Sequence, residues 1–328
     1  LLDGQVVGST AGTAGSVGAA NTVFTIDAAN SGDLSLTQFL TIDHDNTASF
    51  SETVALARNL VWLNGTVVIT DGDGDTATDS SRIDIGDSFV FSDDGPVLTP
   101  TASRTVSEST LRISGSPTSV VQNLGIDIGA DRGDGSATVA FAETQTALDG
   151  LNLSSGGVPL SYAVSGGVIT ASAGAVEVFS VALTQPSSGN GYQPSYTFTL
   201  REPLDHIDAS GPILLDELGL NFALTVTDGD GDVADTSFEV VVTDEAPVAI
   251  AQSALSVVEG GDALGTANGD ANLLANDRIS IDGTRVYQIR YTDDSGIQQT
   301  VTLGDSDIGS GAINTQYGTL EVNADGTW

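Results

Sequence analysis

Short stretches in which apolar and polar residues alternate recur along the whole chain. Examples are Thr66–Thr70 (TVVIT), Ser195–Leu200 (SYTFTL), Phe222–Thr227 (FALTVT) and Phe238–Val242 (FEVVV). Alternation with a period of two, rich in β-branched and aromatic residues, predicts half-buried β-strands. Gly, Asn, Asp and Ser separate these stretches at short intervals, as turns between strands require. The pattern predicts an all-β fold built from β-sandwiches in series.

Helical spacing is rare, and only Thr53–Asn59 and Leu214–Leu218 are predicted to form a turn or two of helix each. Trp62 alternates with polar neighbours and is expected in a sandwich core. Apolar runs such as Val240–Val242 have the length of strands. They fall far short of the ~18–20 apolar residues of a membrane span, so no membrane insertion is expected.

The chain repeats itself in one order. Ile69–Asp75 (ITDGDGD) recurs as Val226–Asp232 (VTDGDGD), and Ser92–Val97 (SDDGPV) recurs as Thr243–Val248 (TDEAPV). The pair Asp43 and His44 recurs as Asp205 and His206, and Val23–Ile26 matches Val178–Val181. Ordered matches of this kind indicate an internal duplication.

The duplication divides the chain into three expected units. Residues 1–97 form a first copy that lacks its N-terminal part, residues 98–247 form a complete second copy, and residues 248–328 form a further β-sandwich truncated at its C-terminus. Pro96 and Pro247 lie at the boundaries, where proline suits a link because it cannot continue a sheet ladder. The incomplete ends and the absence of Met predict a segment of a longer protein.

Composition excludes several classes of function. The chain has 44 acidic residues against nine basic ones, all of them Arg, and a formal net charge of −35. Nucleic-acid binding is excluded because it needs clustered basic residues. The absence of Cys excludes disulfides, thiolate zinc sites and cysteine nucleophiles. The repeated Asp-His pairs are expected to close turns, and no nucleophile–base arrangement is visible, so the protein is not expected to be an enzyme.

Two acidic loops carry the candidate chemistry. In each, three Asp residues alternate with Gly, which lets the backbone bring mutually repelling carboxylates together. Ca²⁺ prefers such hard oxygen ligands, and it is the one cofactor expected. A single Asp-Gly loop is also a common hairpin turn, and the recurrence at equivalent positions favours calcium. The candidate metal ligands are Asp71, Asp73, Asp75, Asp79, Asp93, Asp94, Asp228, Asp230, Asp232, Asp235, Asp244 and Glu245.

Sandwich geometry predicts which acidic segments meet. If each Asp-Gly loop joins the last two strands, it lies at the N-terminal end of its unit, and the Asp-Asp-Gly-Pro segment leaves from the opposite end. Asp93 and Asp94 should then approach the loop Asp228–Asp232, and Asp244 and Glu245 should approach the third unit near Asp277 or Asp282. A weaker candidate calcium loop runs from Ile126 to Asp131 and Asp134.

These segments resemble a known class of proteins. Asp-Gly-Asp-Gly-Asp followed by a strand and Asp-Asp-Gly-Pro is similar to the repeats of giant bacterial RTX adhesins exported by type I secretion. Leu200–His206 (LREPLDH) with Ile126–Asp131 (IDIGAD) resembles their secretion-associated repeat. Residues 248–328 resemble the bacterial cadherin-like or VCBS-type domain through Glu259-Gly260 and Leu274–Asp277 (LAND). The Gly-Gly-x-Gly-x-Asp nonapeptide that defines the RTX group is not in this chain.

The resemblance implies tandem Ig-like or cadherin-like β-sandwiches, secreted to the bacterial cell surface and stiffened by Ca²⁺ at their joints. The expected function is a non-enzymatic extender or stalk in cell adhesion and biofilm formation. Its expected partners are the neighbouring repeats of the same long chain and a sugar or peptide ligand on a host, surface or matrix. One alternative is a Ca²⁺-dependent ligand-binding module near the adhesin tip, using the loops around Gly156–Gly167 and Ser187–Tyr192. The other is a subunit of an extracellular filament completed by strand exchange.

Overall fold

The structure is a computed structural model that covers most of the chain. It describes residues 4–44, 49, 51–130, 137–142, 145–186, 192–206, 217–251, 272–281, 283–293, 295–303, 311–315 and 318–328. Asp131, Asp134, Asp282 and most of the Ser187–Tyr192 loop, all named above, lie outside the described residues.

Strands dominate the described residues, and the all-β prediction is confirmed. In the first copy the strands are β1 (Val6–Ser9), β2 (Thr22–Ala28), β3 (Leu34–Gln38), β4 (Thr53–Ala55), β5 (Trp62–Thr70), β6 (Thr76–Asp84) and β7 (Val90–Ser92). In the second copy they are β8 (Val97–Leu98), β9 (Arg104–Ser107), β10 (Thr118–Asn123), β11 (Ile126–Asp127), β12 (Thr138–Phe141), β13 (Ser154–Ser155), β14 (Val158–Ser165), β15 (Val168–Ala173), β16 (Val176–Thr184), β17 (Ser195–Leu200), β18 (Glu217–Thr227) and β19 (Val233–Thr243). The remaining strands are β20 (Gln288–Thr292), β21 (Gln298–Thr302), β22 (Gly311–Thr315) and β23 (Gly318–Val322).

The predicted helical turns are wrong where the structure describes them. Thr53–Ala55 forms β4, which pairs with β7, because short β-branched segments are stable as strands when a partner lies alongside. Residues 217 and 218 begin β18, and residues 214–216 lie outside the described part. The helices that do form are α1 (Glu108–Ser114) and α2 (Gln145–Asp149). Helix α1 ends at Gly115, whose left-handed backbone (φ 60°) forms a C-cap to Leu111.

The second copy is a two-sheet sandwich. One sheet has six strands in the order β10-β17-β16-β15-β14-β13, and the other has four in the order β12-β18-β19-β9. All pairings are antiparallel except that of β19 with β9, which is parallel. The alternation seen in the sequence is the alternation between core and solvent along β17, β18 and β19.

Aromatic side chains join the two sheets of the second copy. The Phe179 ring on β16 lies 6.4 Å from the Phe222 ring on β18, and the Tyr196 ring on β17 stacks 3.9 Å from the Phe238 ring on β19. Phe179, Tyr196 and Phe222 are completely buried. This core makes the second copy the best-packed part of the described chain and a rigid base for the loops at its two ends.

The first copy has a smaller core. Its strands β1, β2 and β3 form an antiparallel sheet, and Phe24 and Ile26 on β2 pack against Phe91 on β7. The hairpin of β5 and β6 extends away from this core, with Val67 63% and Ile69 65% exposed. Trp62, which the sequence placed in a core, is half-buried on β5, where the Arg82 guanidinium lies 4.4 Å from its ring.

The third unit shows two hairpins, formed by β20 with β21 and by β22 with β23. Val248, which directly follows the second copy, forms reciprocal backbone hydrogen bonds of 2.9 Å with Arg278. Ile281 packs against the core of the second copy. The longest described helix has seven residues, so none of the described helices could span a bilayer.

The segment that links the two copies is also held in place. After Pro96, residues 97 and 98 form β8, which pairs with β11 of the second copy. The Thr99 N–H donates to the Gly125 carbonyl at 2.9 Å. The link is therefore part of a small sheet, and its path is defined by backbone hydrogen bonds.

Candidate metal site at the junction between the two copies

The loop Asp228–Asp232 connects β18 to β19 at one end of the sandwich. The first carboxylate closes the loop, because Asp228 Oδ1 accepts hydrogen bonds from the N–H groups of Gly231 (3.1 Å) and Asp232 (2.7 Å). Gly231 takes φ of 112°, which an L side chain rarely adopts. The Asp-Gly alternation thus folds three carboxylates into one turn, with a ligand oxygen of each within 4.8 Å of the others.

The first copy brings further carboxylates to this loop. Glu52 precedes β4 and Asp93 follows β7, and the Asp93 N–H donates to the Glu52 carbonyl at 3.0 Å, so the β4–β7 pairing places both side chains at one end. The Asp93 carboxylate lies within hydrogen-bonding reach of Asp232. The His44 N–H donates to Asp230 Oδ2 at 3.4 Å. Asp93 therefore meets the loop as the sandwich argument predicts.

The junction cluster, defined as Glu52, Asp93, Asp228, Asp230 and Asp232, is shielded from water. Asp228 and Asp232 are each only 2% exposed. One oxygen of each of four members is buried without a hydrogen-bond partner among the described residues. These oxygens are Asp93 Oδ2, Asp228 Oδ2, Asp230 Oδ1 and Asp232 Oδ2. Carboxylates in such a place require a cation or protons, since charge withdrawn from water without a partner is strongly unfavourable.

Burial and neighbouring carboxylates raise the pKa values of two aspartates in the loop. Burial, followed by the neighbouring Asp230, raises the pKa of Asp228 from 3.8 to about 7. Burial, followed by the charge of Asp93, raises the pKa of Asp232 to about 6. A bound divalent cation reverses this effect, because it favours the ionised carboxylates that hold it. The donor set of hard oxygens suits Ca²⁺, which takes six to eight oxygen ligands.

Stability of the metal-free chain is expected to fall as the pH rises. Asp228 and Asp232 keep their protons in the folded state to a higher pH than in the unfolded state, where the pKa is near 3.8. Their contribution to folding is therefore complete below about pH 4 and is lost as the pH rises through about 6–7. Urea denaturation should give a lower free energy of unfolding at pH 8 than at pH 5.

The general repulsion within a chain of net charge −35 also acts in this direction, and a variant separates the two effects. D228N/D232N should show a smaller fall in stability between the two pH values. An equal fall in the variant, or a metal-free chain that is as stable at pH 8 as at pH 5, would contradict the raised pKa values of Asp228 and Asp232.

The equivalent loop of the first copy has the same turn in a different environment. Asp71 Oδ1 accepts hydrogen bonds from the N–H groups of Asp73, Gly74 and Asp75, yet all three carboxylates are exposed. Hydrogen bonds from the Asp73 side chain and the loop backbone lower the pKa of Asp71. Without packing around it, the Asp71–Asp75 loop is a solvated turn in the described chain. The Asp228–Asp232 loop differs because residues of the first copy pack against it.

Three other candidate ligands lie outside both clusters. Asp94 turns away from the loop and accepts a hydrogen bond from the Ala130 N–H at 2.9 Å. Asp79 is exposed on β6 opposite Val67. Asp235 is exposed on β19 and accepts a hydrogen bond from the Thr225 hydroxyl.

The Asp94 contact contributes to the link instead. Gly129 has φ of 71°, and a Cβ at this position would lie 2.4 Å from Asp94 Oδ2. The close approach of the linker to the second copy therefore depends on glycine at this position.

At the junction between the second copy and the third unit, the neighbouring residues Asp244 and Glu245 have different partners. Asp244 joins Glu108 and His206, and their ligand atoms lie within 4.8 Å of one another. Burial raises the pKa of Glu108, which is 0% exposed, while His206 and the Leu204 N–H oppose the rise.

Glu245 is instead paired with Arg112, whose Nε lies 2.5 Å from Glu245 Oε1, and with Arg278 at 3.8 Å. The structure thus places Glu245 in an ion pair.

Sequence reasoning missed one glutamate at each junction. Glu52 and Glu108 lie outside any acidic run, and only the pairing of β4 with β7 and the start of α1 bring them to the junctions. It also read His44 and His206 as turn residues, whereas both are buried beside carboxylates. Their recurrence at equivalent positions was the signal available in the sequence.

Comparison with known proteins is sparse. A family model described as a domain of unknown function (DUF5801) matches residues 1–86. No curated protein matches the chain. The matched residues end just after β6, so they include the exposed Asp71–Asp75 loop, Glu52 and His44, but not Asp93.

Proposed function

We propose that the chain is a non-enzymatic extender segment of a secreted bacterial surface adhesin, stiffened by Ca²⁺ at the joint between its two copies. The observation that carries the proposal is the junction cluster, in which Glu52 and Asp93 of the first copy face Asp228, Asp230 and Asp232 of the second. A cation held by both copies would oppose their separation.

The surroundings of the cluster suit a mechanical role. Strand β8 binds the linker to β11, and Asp94 fastens the same segment at Ala130. Backbone pairing defines the direction of the link, and a bound cation would stop the two copies from bending about it. Such a joint would hold successive repeats at a fixed distance and orientation.

Calcium supply also fits export to the cell surface. Free Ca²⁺ is scarce in the cytosol and abundant outside, and extracellular modules bind it with a Kd of ~10⁻⁴–10⁻³ M. The uncompensated carboxylates would disfavour a closed joint before export, and ion binding outside would favour it. Adhesion and biofilm formation at the cell surface follow from this proposal through the resemblance to RTX adhesins.

The proposal is tested by adding and removing Ca²⁺. We expect the melting temperature to rise with millimolar Ca²⁺ and to fall with excess EGTA at pH 7.5. Small-angle scattering should show the two copies changing from a fixed arrangement with Ca²⁺ to a flexible one without it. Mg²⁺ at the same concentration is the control for ionic strength. Unchanged melting and scattering would overturn the proposal.

A second candidate function is a filament subunit completed by strand exchange, and the β5–β6 hairpin favours it. Among the described residues neither edge of this hairpin is paired, and Val67, Ile69 and Ile83 are exposed on one face. The repeat-related hairpin of β18 and β19 instead carries β12 on one edge and β9 on the other. The same scattering experiment separates the two functions, because an extender keeps the 33.2 kDa mass of one chain and a filament exceeds it.

A further inference from the structure

Each junction contains a buried histidine grouped with one glutamate and one aspartate. We name these groups the junction triads: His44 with Glu52 and Asp93, and His206 with Glu108 and Asp244. The histidines and aspartates occupy equivalent repeat positions, but the glutamates do not. Glu52 follows its histidine closely in the sequence, and Glu108 lies far before its own, in α1. The same set of donor atoms is thus assembled from different parts of the two copies.

The histidine and glutamate atoms of each triad lie at the long end of hydrogen-bond distances or beyond it. His206 Nε2 lies 3.4 Å from Glu108 Oε1, and His44 Nδ1 lies 3.8 Å from Glu52 Oε1. Hydrogen bonds of this kind span about 2.7–3.2 Å. Ligand atoms around a tetrahedral ion with bonds of about 2.1 Å are about 3.4 Å apart. The His206–Glu108 contact is therefore a long hydrogen bond, and its length also fits two ligand atoms of one tetrahedral ion.

Burial gives independent support for a missing partner. Glu108 is 0% exposed, and its Oε2 has no hydrogen-bond partner among the described residues. His44 is 6% exposed, and its Nδ1 is likewise without a hydrogen-bond partner there. The Leu204 N–H donates to Glu108 Oε1 at 2.7 Å, which holds the carboxylate in place. Groups buried and oriented in this way point to a ligand between them.

We propose that the two junction triads bind a divalent transition-metal ion of the Zn²⁺ class, at sites separate from the acidic loop. An imidazole nitrogen is a good ligand for such ions and a poor one for Ca²⁺, which takes oxygen. At the first junction Glu52 and Asp93 belong both to the triad and to the junction cluster, so a cation in each place would share these two carboxylates. At the second junction no Asp-Gly loop lies beside the triad among the described residues. Metal binding by this triad is therefore independent of calcium binding at the acidic loop.

The whole sequence contains two histidines, and both belong to triads, which makes a direct test possible. The full chain is freed of metal, saturated with 10 mM Ca²⁺ (about ten to a hundred times the Kd of extracellular sites) and titrated with ZnCl₂. Imidazole ring signals in ¹⁵N-resolved NMR should shift for both histidines, and calorimetry should show one Zn²⁺ for each triad. Co²⁺ in place of Zn²⁺ should give visible absorption from a nitrogen-containing coordination sphere.

Matched variants assign the two sites. H206N should remove one Zn²⁺ and leave the His44 signal responsive, and E108Q, which keeps the shape of the side chain, should weaken the same site at least tenfold. D75N, in the exposed loop, should retain both sites. Melting curves in Ca²⁺ show whether each variant is folded, and the NMR titration of the unaltered chain stands whether or not a variant folds.

Three results would overturn the inference. One is that Zn²⁺ and Co²⁺ leave the ring signals of both histidines unchanged while Ca²⁺ is saturating. The other is that Zn²⁺ binds equally well to the H44N/H206N double variant, which would place the ion on surface carboxylates. If excess Ca²⁺ displaced Zn²⁺ completely, the triads would be ligands of the calcium site, and the separate transition-metal site would also be disproved.

Discussion

Replacing Asp228, Asp230 and Asp232 by asparagine is expected to change stability in opposite directions with and without Ca²⁺. Without metal, the unaltered chain carries buried carboxylates with unpartnered oxygens, so the neutral variant should be the more stable. With Ca²⁺ at a hundred times its Kd, the unaltered chain gains about 2.7 kcal/mol in the free energy of unfolding, and the variant gains little. The order of the two proteins should therefore reverse between EGTA and Ca²⁺.

The control is the same triple substitution at Asp71, Asp73 and Asp75. This loop has the same sequence and turn but is exposed, so neutralising it should change stability by less than about 0.5 kcal/mol in either condition. Urea denaturation of the three proteins, each with EGTA and with Ca²⁺, measures the effect. Equal behaviour of the two triple variants would show that burial by the other copy does not matter, and would refute the junction site.

Replacing Arg112 by alanine is expected to destabilise the chain by about 3–5 kcal/mol at neutral pH. Its Nε lies 2.5 Å from Glu245 Oε1, and the Glu245 side chain is only 1% exposed. The substitution leaves a buried carboxylate whose remaining described cation, Arg278, is 3.8 Å away. The cost arises from the unpaired charge, so the double variant R112L/E245L should recover most of the loss.

Arg201→Ala is the matched control, because its ion pair with Glu177 has similar geometry (2.8 Å) but about 39% and 38% exposure. Exposed pairs contribute about 0–1 kcal/mol, so R201A should remain close to the unaltered chain. Chemical denaturation of the three variants provides the comparison. A loss for R112A no larger than that for R201A would contradict the view that Glu245 is held as a buried ion.

Local pattern was sufficient to predict the strands of the second copy. Phe222 and Phe238 lie in stretches whose period of two matches the alternation of core and solvent along β18 and β19. It was insufficient at Thr53–Asn59, which lacks strong alternation and in which residues 53–55 become a strand through pairing with β7. Helix α1 was missed for a similar reason, since its seven residues bury Glu108 and Leu111 through tertiary contacts rather than through a helical period.

The two acidic loops show most clearly what the sequence determines and what the tertiary structure determines. The sequence alone determines that both loops form the same turn, because alternating Gly and the first Asp satisfy the loop backbone locally in each. It does not determine their chemistry: the pKa of Asp71 is lowered and that of Asp228 is raised to about 7. Only the tertiary structure decides this, because Glu52, Asp93 and the body of the first copy exclude water from one loop and leave the other in solvent, and the free energy of a charge depends on that surrounding medium.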